Sequence, residues 1–283
     1  MMKRVAALLT VFNRRDITLK CLKGLSNQVY NCKEINVEVF LTNDGCTDGT
    51  PEAVKEFFPD VHIINGDGSL FWNRGMIAAW KEASMYDYDY YLWLNDDTYL
   101  YSDAIARLLN KSGYYEDKSI IVGSTCSVEN KDLITYGGWV NNRKVTDISK
   151  STKCNTMNGN IVLIPRKVYK VLGYNDPYYR HAMGDLDYGF TATRKGISIY
   201  TGEGIFGECN LHEHPTIWMD PSQPLKKRWK NFMSPIGNNP IEFFYFKKKN
   251  YGLFLACVTF LTNWIHFILP WLWPGQYKNN VNL

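Results

Sequence analysis

The run Tyr91-Leu92-Trp93-Leu94, followed at once by Asn95-Asp96-Asp97-Thr98, constrains this chain more than any other stretch. Four consecutive, mostly apolar residues read as a buried strand. Two adjacent carboxylates then stand at its C-terminal end, the edge of an open α/β sheet where loops splay into a ligand crevice. Neighbouring carboxylates repel each other and lose hydration unless a cation or sugar hydroxyls compensate. A hard divalent cation shared with a diphosphate meets that need, because magnesium and manganese take one or two carboxylates together with phosphate oxygens. The competing reading is a solvated turn that starts the next helix, for which Asp and Thr are common residues.

The flanking sequence repeats a strand–helix rhythm. Residues 5–10 are a continuous apolar run, and Asn13 to Asp16 open a helix with Leu19, Leu22, Leu25 and Val29 on one side. Residues 37–42 form a second strand that ends in Asn43-Asp44-Gly45-Cys46-Thr47-Asp48-Gly49-Thr50-Pro51. Thr50 and Pro51 read there as N-cap and first helical residue. A short strand at 61–64 leads through a glycine-rich loop carrying Phe71 and Trp72 to a helix capped by Asn73 and running through Ala83. The strand at 90–95 precedes a helix capped by Ser102 and stopped by Gly113. This βαβαβαβα order predicts a doubly wound, mostly parallel sheet with helices on both faces. Asp44, Arg74, Asp96 and Asp97 then share one edge of it. Asp44 reads equally as a turn former, and Arg74 equally as a cation turned to solvent.

The second half is less regular. Strands are expected at 120–124, 160–164 and 197–200, a hairpin around Tyr136-Gly137-Gly138-Trp139, and a short helix at 166–172. A helix from about Gly184 to Lys195 places Asp185 at its N-terminus, where the helix dipole favours an anion; that alone would also account for the residue. Beyond it, His212 and His214 lie on a loop from which either imidazole could complete a metal site begun by Asp97, or neither.

Composition removes several classes. A net charge of +4 on 283 residues gives no support for nucleic-acid binding over the whole surface. No CxxC occurs among the seven scattered cysteines, so neither a zinc site nor a disulfide framework is indicated, and the usage suits a reducing cytosol. The N-terminal apolar run lacks a cleavage site and reads as the first strand rather than a signal peptide. Nine Trp and 19 Tyr fit a wide cleft, a carbohydrate or membrane surface, or simply a large aromatic core.

With these residues in place, the chain resembles family 2 glycosyltransferases of the GT-A fold. The segment Thr10-Val11-Phe12-Asn13-Arg14 is similar to that family's opening, and Asn43-Asp44-Gly45-Cys46-Thr47-Asp48-Gly49-Thr50 to its Asp-Asp-Gly-Ser-Thr-Asp-Gly-Thr loop. Asn95-Asp96-Asp97 stands where the family has its acidic metal motif, and Gly184-Asp185-Leu186-Asp187 where it has Glu-Asp-x-Asp. The match is closest to rhamnosyltransferase-like members of bacterial surface polysaccharide pathways. The resemblance implies an inverting transfer from a UDP- or dTDP-sugar to a glycan or lipid-linked glycan hydroxyl. Asp44, with main chain near Thr10 and Asn13, would hold the pyrimidine base; Arg74 would lie beside base and diphosphate; Asp96 would reach the ribose. Asp97, with His214 or His212, would bind Mn2+ or Mg2+, and Asp185 would be the general base. Asn95 and Gly184 depart from the acids usual at their positions.

The segment Gln223-Pro224-Leu225-Lys226-Lys227-Arg228-Trp229 is two residues longer than the QxxRW of processive synthases. Its basic residues could close over a diphosphate or simply face water or lipid. A catalytic domain is expected over 1–220, with a nucleotide-binding half at 1–110 and an acceptor half at 111–220. A basic, aromatic extension follows at 221–283. Residues 251–269 carry no charged side chain, and Thr259, Thr262, Asn263 and His266 recur at helical spacing. Such a stripe suits a helix lying in a membrane interface, placing the enzyme at the inner face of the cell membrane; the competing readings are a helix packed on the catalytic domain and a short membrane span. A sugar nucleotidyltransferase would carry a glycine-rich loop after the first strand, which 10–16 lacks; a non-catalytic protein on a degenerate transferase fold would not need Asp44, Asp97 and Asp185 intact.

Overall fold

The computed structural model describes residues 2–31, 35–211 and 217–272. The described chain forms two units, one of Met1–Pro177 with Gly184–Asn210 and one of Tyr178–Met183 with Leu211–Leu283.

The first unit is built on β1 (Lys3–Val11), α1 (Arg15–Asn31), β2 (Ile35–Asn43), α2 (Thr50–Phe57), β3 (His62–Asn65), α3 (Phe71–Ala83) and β4 (Tyr90–Leu94). Strand β1 is central because both its faces are apolar. Val5, Ala7, Leu9 and Val11 enter one core, while Ala6 and Leu8 enter the other. Strand β4 divides in the same way, with Tyr90, Leu92 and Leu94 on one side and Tyr91 and Trp93 on the other. Burial on both faces is what a continuous apolar run predicts for a parallel strand covered by helices. Much of the aromatic content is spent on the second core, where Trp80 and Trp93 are fully buried and pack edge to face at 5.7 Å.

The chain continues through β5 (Tyr99–Leu100), α4 (Ala104–Tyr114), β6 (Ile120–Cys126), β7 (Gly138–Val140), β8 (Arg143–Lys144), β9 (Lys153–Cys154), β10 (Thr156–Met157) and β11 (Ile161–Pro165). Then follow α5 (Arg166–Leu172), α6 (Gly184–Arg194) and β12 (Ile199–Glu208). The main sheet runs β3-β2-β1-β4-β11-β6-β12-β5, with β9 paired to β12. Strands β1 to β4 are mutually parallel, whereas β11 is antiparallel to both β4 and β6. A small antiparallel sheet, β10-β7-β8, carries the hairpin foreseen after Tyr136. The chain leaves β1 for β2 and β3 on one side, then returns to β4 on the other. The gap between the C-terminal ends of β1 and β4 is therefore the switch point where a doubly wound sheet opens a crevice.

Several boundaries differ from the sequence reading. Helix α3 starts at Phe71, so Asn73 lies inside it, fully buried, donating to the Asp176 carbonyl at 2.9 Å and accepting from Asn175. Helix α2 takes Gly49 as N-cap, with Asp48 accepting from the Thr50 amide, and α4 takes Asp103 rather than Ser102. For Asn73, partners about a hundred residues away overrode a local capping preference.

The second unit contains a 3-10 turn (Ile217–Met219), α7 (Leu225–Phe232), α8 (Pro240–Tyr251), α9 (Leu253–Ile268) and a closing turn (Pro270–Leu272). Its core is Trp218, Met219, Phe232 and Phe267. Arg228 is buried within it, donating to the carbonyls of Trp218 and Phe267 and lying over the Phe267 ring. That residue is therefore committed to holding this unit together, while Lys226 and Lys227 are exposed. Gly252, at φ 95°, breaks the apolar run before α9 begins. Of the polar stripe on α9 only Asn263 is buried; Thr259 and Thr262 are partly exposed, and their hydroxyls donate to carbonyls of their own helix. The outward face is apolar instead, with Phe254, Val258, Leu261, Ile265 and Ile268 exposed. No helix among the described residues is long and apolar enough to cross a membrane.

Candidate active site

The switch point carries a compact charge cluster. Asp96 and Asp97 follow β4 directly, and Arg14 sits in the link between β1 and α1. The same Arg14 Nη1 donates to Asp96 Oδ1 at 3.2 Å and to Asp97 Oδ2 at 2.8 Å. Asp96 is 6% exposed and also accepts from the Thr18 hydroxyl at 3.4 Å. Burial raises its pKa to about 7, more than Arg14 offsets, and Asp97 adds to the rise. Burial opposes the charge on Arg14, but the two carboxylates outweigh it and raise its pKa. Arg14 drew no special role from the sequence, where it was one of two consecutive arginines; its part follows only from the adjacency of β1 and β4.

Two thiols border the pair. Cys209 Sγ donates to Asp97 Oδ1 at 3.5 Å, and Cys21 Sγ donates to the Asn95 carbonyl at 3.5 Å. Burial first, then the neighbouring carboxylates, push both thiols upward, so they stand as neutral donors and not as thiolates. Among the described residues no three His, Cys, Asp or Glu side chains converge on a metal position. His212 and His214 lie outside the described residues. The donor set present, two hard carboxylates at a crevice, suits half of a magnesium or manganese shell that phosphate oxygens would complete.

Asp44 is organised differently. Its Oδ1 accepts from the amides of Gly68 (3.0 Å) and Leu70 (3.2 Å), and its Oδ2 from that of Phe71 (2.8 Å). It is 4% exposed and anchors the loop that starts α3, including Phe71 at φ 56°. A carboxylate offers about four acceptor positions, so three amides leave little for a ligand. Asn13, at φ 52°, accepts from the Thr47 amide at 2.7 Å, tying the β1 loop to the β2 loop. Thr10 packs where Gly75 of α3 crosses β1, too closely for any side chain at 75. Arg74 lies in the first turn of α3, and its Nε donates to the Pro177 carbonyl at 2.9 Å.

Asp185 stands at the N-terminus of α6, half-buried. Its Oδ2 accepts from the Gly159 amide at 2.9 Å and its Oδ1 from that of Leu186 at 2.8 Å. Burial raises its pKa, and these amides offset the rise only in part. The helix terminus and these amides favour the anion, and desolvation opposes it. A Cβ on Gly159 would lie 2.5 Å from the Trp72 ring and 3.4 Å from Asp185 Cβ. Trp72 in turn donates its indole N–H to Asn95 Oδ1 at 2.8 Å. Asp185, Gly159, Trp72 and Asn95 therefore form a packed line ending next to Asp96. Gly184 has a local reason too, because any Cβ there would collide with Asn73 Oδ1. Glutamate, usual in the resembled family, has no room on this backbone.

The large, mostly parallel sheet flanked by helices is the fold of the GT-A glycosyltransferases. The family model described as glycosyl transferase family 2 matches residues 7–173, and the chain belongs to that family. EpsH of Bacillus subtilis (strain 168), which carries the name of a glycosyltransferase, is 25% identical over 115 residues. That match spans 38% of this chain and 30% of EpsH, well short of the relative's own length. Among solved structures, the mannosyltransferase PcManGT from Pyrobaculum calidifontis, in complex with GDP-Man and Mn2+, superposes with a TM-score of 0.55 at 15% identity, covering 93% of this chain and 74% of that one. S. aureus TarS gives 0.59 at 12% identity, covering 95% of this chain and 55% of TarS. At such identities the likeness concerns the fold.

Proposed function

We propose that the protein transfers a sugar, with inversion, from a pyrimidine nucleoside-diphosphate donor to a hydroxyl of a glycan or lipid-linked glycan in bacterial surface polysaccharide synthesis. Rhamnose is the sugar suggested by the resemblance. The observation that carries this reading is the packed line from Asp185 through Gly159 and Trp72 to Asn95, beside the Asp96–Asp97 pair at the switch point. Asp185 is the proposed base. Two amides fix its orientation while lone pairs remain for the acceptor hydroxyl. Asp97, with His214 or His212, would hold Mn2+ or Mg2+. A divalent ion there would neutralise charge developing on the departing diphosphate. Thr10, Asn13, Asp44 and Arg74 would line the nucleotide, Asp44 chiefly by shaping the loop that follows β3, and Asp96 would reach the ribose.

The test is a thermal-shift panel of UDP, dTDP and GDP with and without Mn2+. UDP and dTDP should stabilise the protein, Mn2+ should enlarge the effect, and Asp97→Ala should remove the Mn2+ increment while keeping the fold. Stronger stabilisation by GDP would reject the pyrimidine assignment, and full activity of wild type in chelator would reject the metal.

We also propose that α9 contacts a membrane and so brings the crevice to a lipid-linked acceptor. Its exposed face, Phe254, Val258, Leu261, Ile265 and Ile268, has no charged residue, and exposed Lys248 and Lys249 precede it. An apolar helix face beside lysines suits the surface of an anionic bilayer. Wild type should float with phosphatidylglycerol vesicles and not with phosphatidylcholine alone, and Leu261→Glu should stay behind. Equal flotation of the two proteins would remove the support for this contact.

A further inference from the structure

We infer that Arg14 is the built-in counter-ion of the metal half-site: its guanidinium holds Asp97 in place of a cation, and a divalent ion gains that carboxylate only by displacing it. The inference rests on the reading of Asp97 as a metal ligand. One guanidinium nitrogen contacts both carboxylates, at 3.2 and 2.8 Å, so the pair is partly neutralised from within the chain. The two partners differ in freedom. The carboxylate side chains are 9% and 12% exposed, whereas that of Arg14 is 39% exposed. The backbone beside Arg14 is pinned, because Asn13 accepts from the Thr47 amide at 2.7 Å and the Arg15 amide donates to Asp48 at 3.0 Å. What can swing is the Arg14 side chain itself.

A divalent ion and a guanidinium cannot share Asp97 Oδ2 without strong like-charge repulsion. Asp97 Oδ1 already receives the Cys209 thiol. A bare metal ion therefore meets a site whose charge is already partly neutralised, while a metal–diphosphate complex would offer Arg14 new anionic oxygens. Metal and donor then enter together, and the free enzyme does not load adventitious cations. Arg14 is in this sense a positioning residue that decides when the acidic pair becomes available.

The test measures Mn2+ binding without any nucleotide, by the electron paramagnetic resonance of free Mn2+ and by the shift in melting temperature that Mn2+ alone produces. Arg14→Gln should bind Mn2+ at least about fivefold more tightly than wild type, the scale of removing one unit charge a few ångströms away in a partly solvated site. It should melt lower than wild type in chelator, and Mn2+ should restore more of its stability. Arg14→Lys, which keeps the charge, should fall between the two and guards against misfolding of the glutamine variant. Arg15→Gln removes a charge from the next, solvent-exposed residue and should stay within about twofold of wild type, as expected for a screened cation. Equal or weaker Mn2+ binding by Arg14→Gln, including no binding by either protein, overturns the inference. So does an equal gain in Arg15→Gln. If Asp97→Ala still loses Mn2+-dependent nucleotide binding in that case, the metal assignment stands and only the counter-ion role falls.

Discussion

Asp44 and the Asp96–Asp97 pair both follow parallel strands at the same sheet edge, and both are nearly buried. They are held in opposite ways. Three main-chain amides of one loop fill Asp44, and main-chain donors cannot leave without unfolding that loop. Asp96 and Asp97 share one long, partly exposed side chain that can rotate away. A carboxylate satisfied by backbone fixes a shape, whereas one satisfied by a mobile cation can exchange that cation for a ligand. The comparison separates scaffold from reactive site more sharply than burial does, since Asp44 and Asp96 are almost equally buried.

Asp185 is the first way to break that rule, because it is held by backbone amides like Asp44 and yet is proposed to react. Asp185→Asn should retain donor binding in calorimetry and lose transfer by about a hundredfold to ten-thousandfold, the usual worth of a positioned base. Transfer surviving within about tenfold would place Asp185 with the scaffold.

Asp44→Ala sharpens the other side. Three amides lose a charged acceptor, and the protein should be destabilised by about 2–4 kcal/mol in urea unfolding, since each stranded buried donor costs about 1–3 kcal/mol before water relieves it. Asp97→Ala should cost far less in the same measurement. A silent Asp44→Ala would mean that the loop holds its shape without the carboxylate.

The effect smallest per measured step is a slope with pH. Asp96 titrates at about 7 in the folded chain against an ordinary value of 3.8, so between those values the folded state keeps a proton that the unfolded state has released. Stability should therefore fall as pH rises through that window, with this residue contributing at most about 1.4 kcal/mol per pH unit. In chelator, the difference in melting temperature between wild type and Asp96→Asn should change steadily from pH 4 to 7 and level off above it. A difference that is flat with pH would show Asp96 ionised throughout, with Arg14 outweighing burial.

The sequence by itself determined the strand–helix alternation, the two-faced burial of β1 and β4, and the carboxylates at the strand ends, because these follow from local periodicity and from where a chain must turn. It also reached the family, through Asp44, Asp96, Asp97 and Asp185 in order. The antiparallel insertion of β11 beside β4, the burial of Asn73 inside α3, and the burial of Asn263 on α9 were decided only by tertiary packing. Each depends on a partner distant in sequence. The same holds for the site: a run of two arginines does not say which one will face the acids 82 and 83 residues away, and the raised pKa of Asp185 is a property of what packs around it. Periodicity reports which face is apolar, but only the fold reports what covers that face, and desolvation and charge pairing depend on the cover.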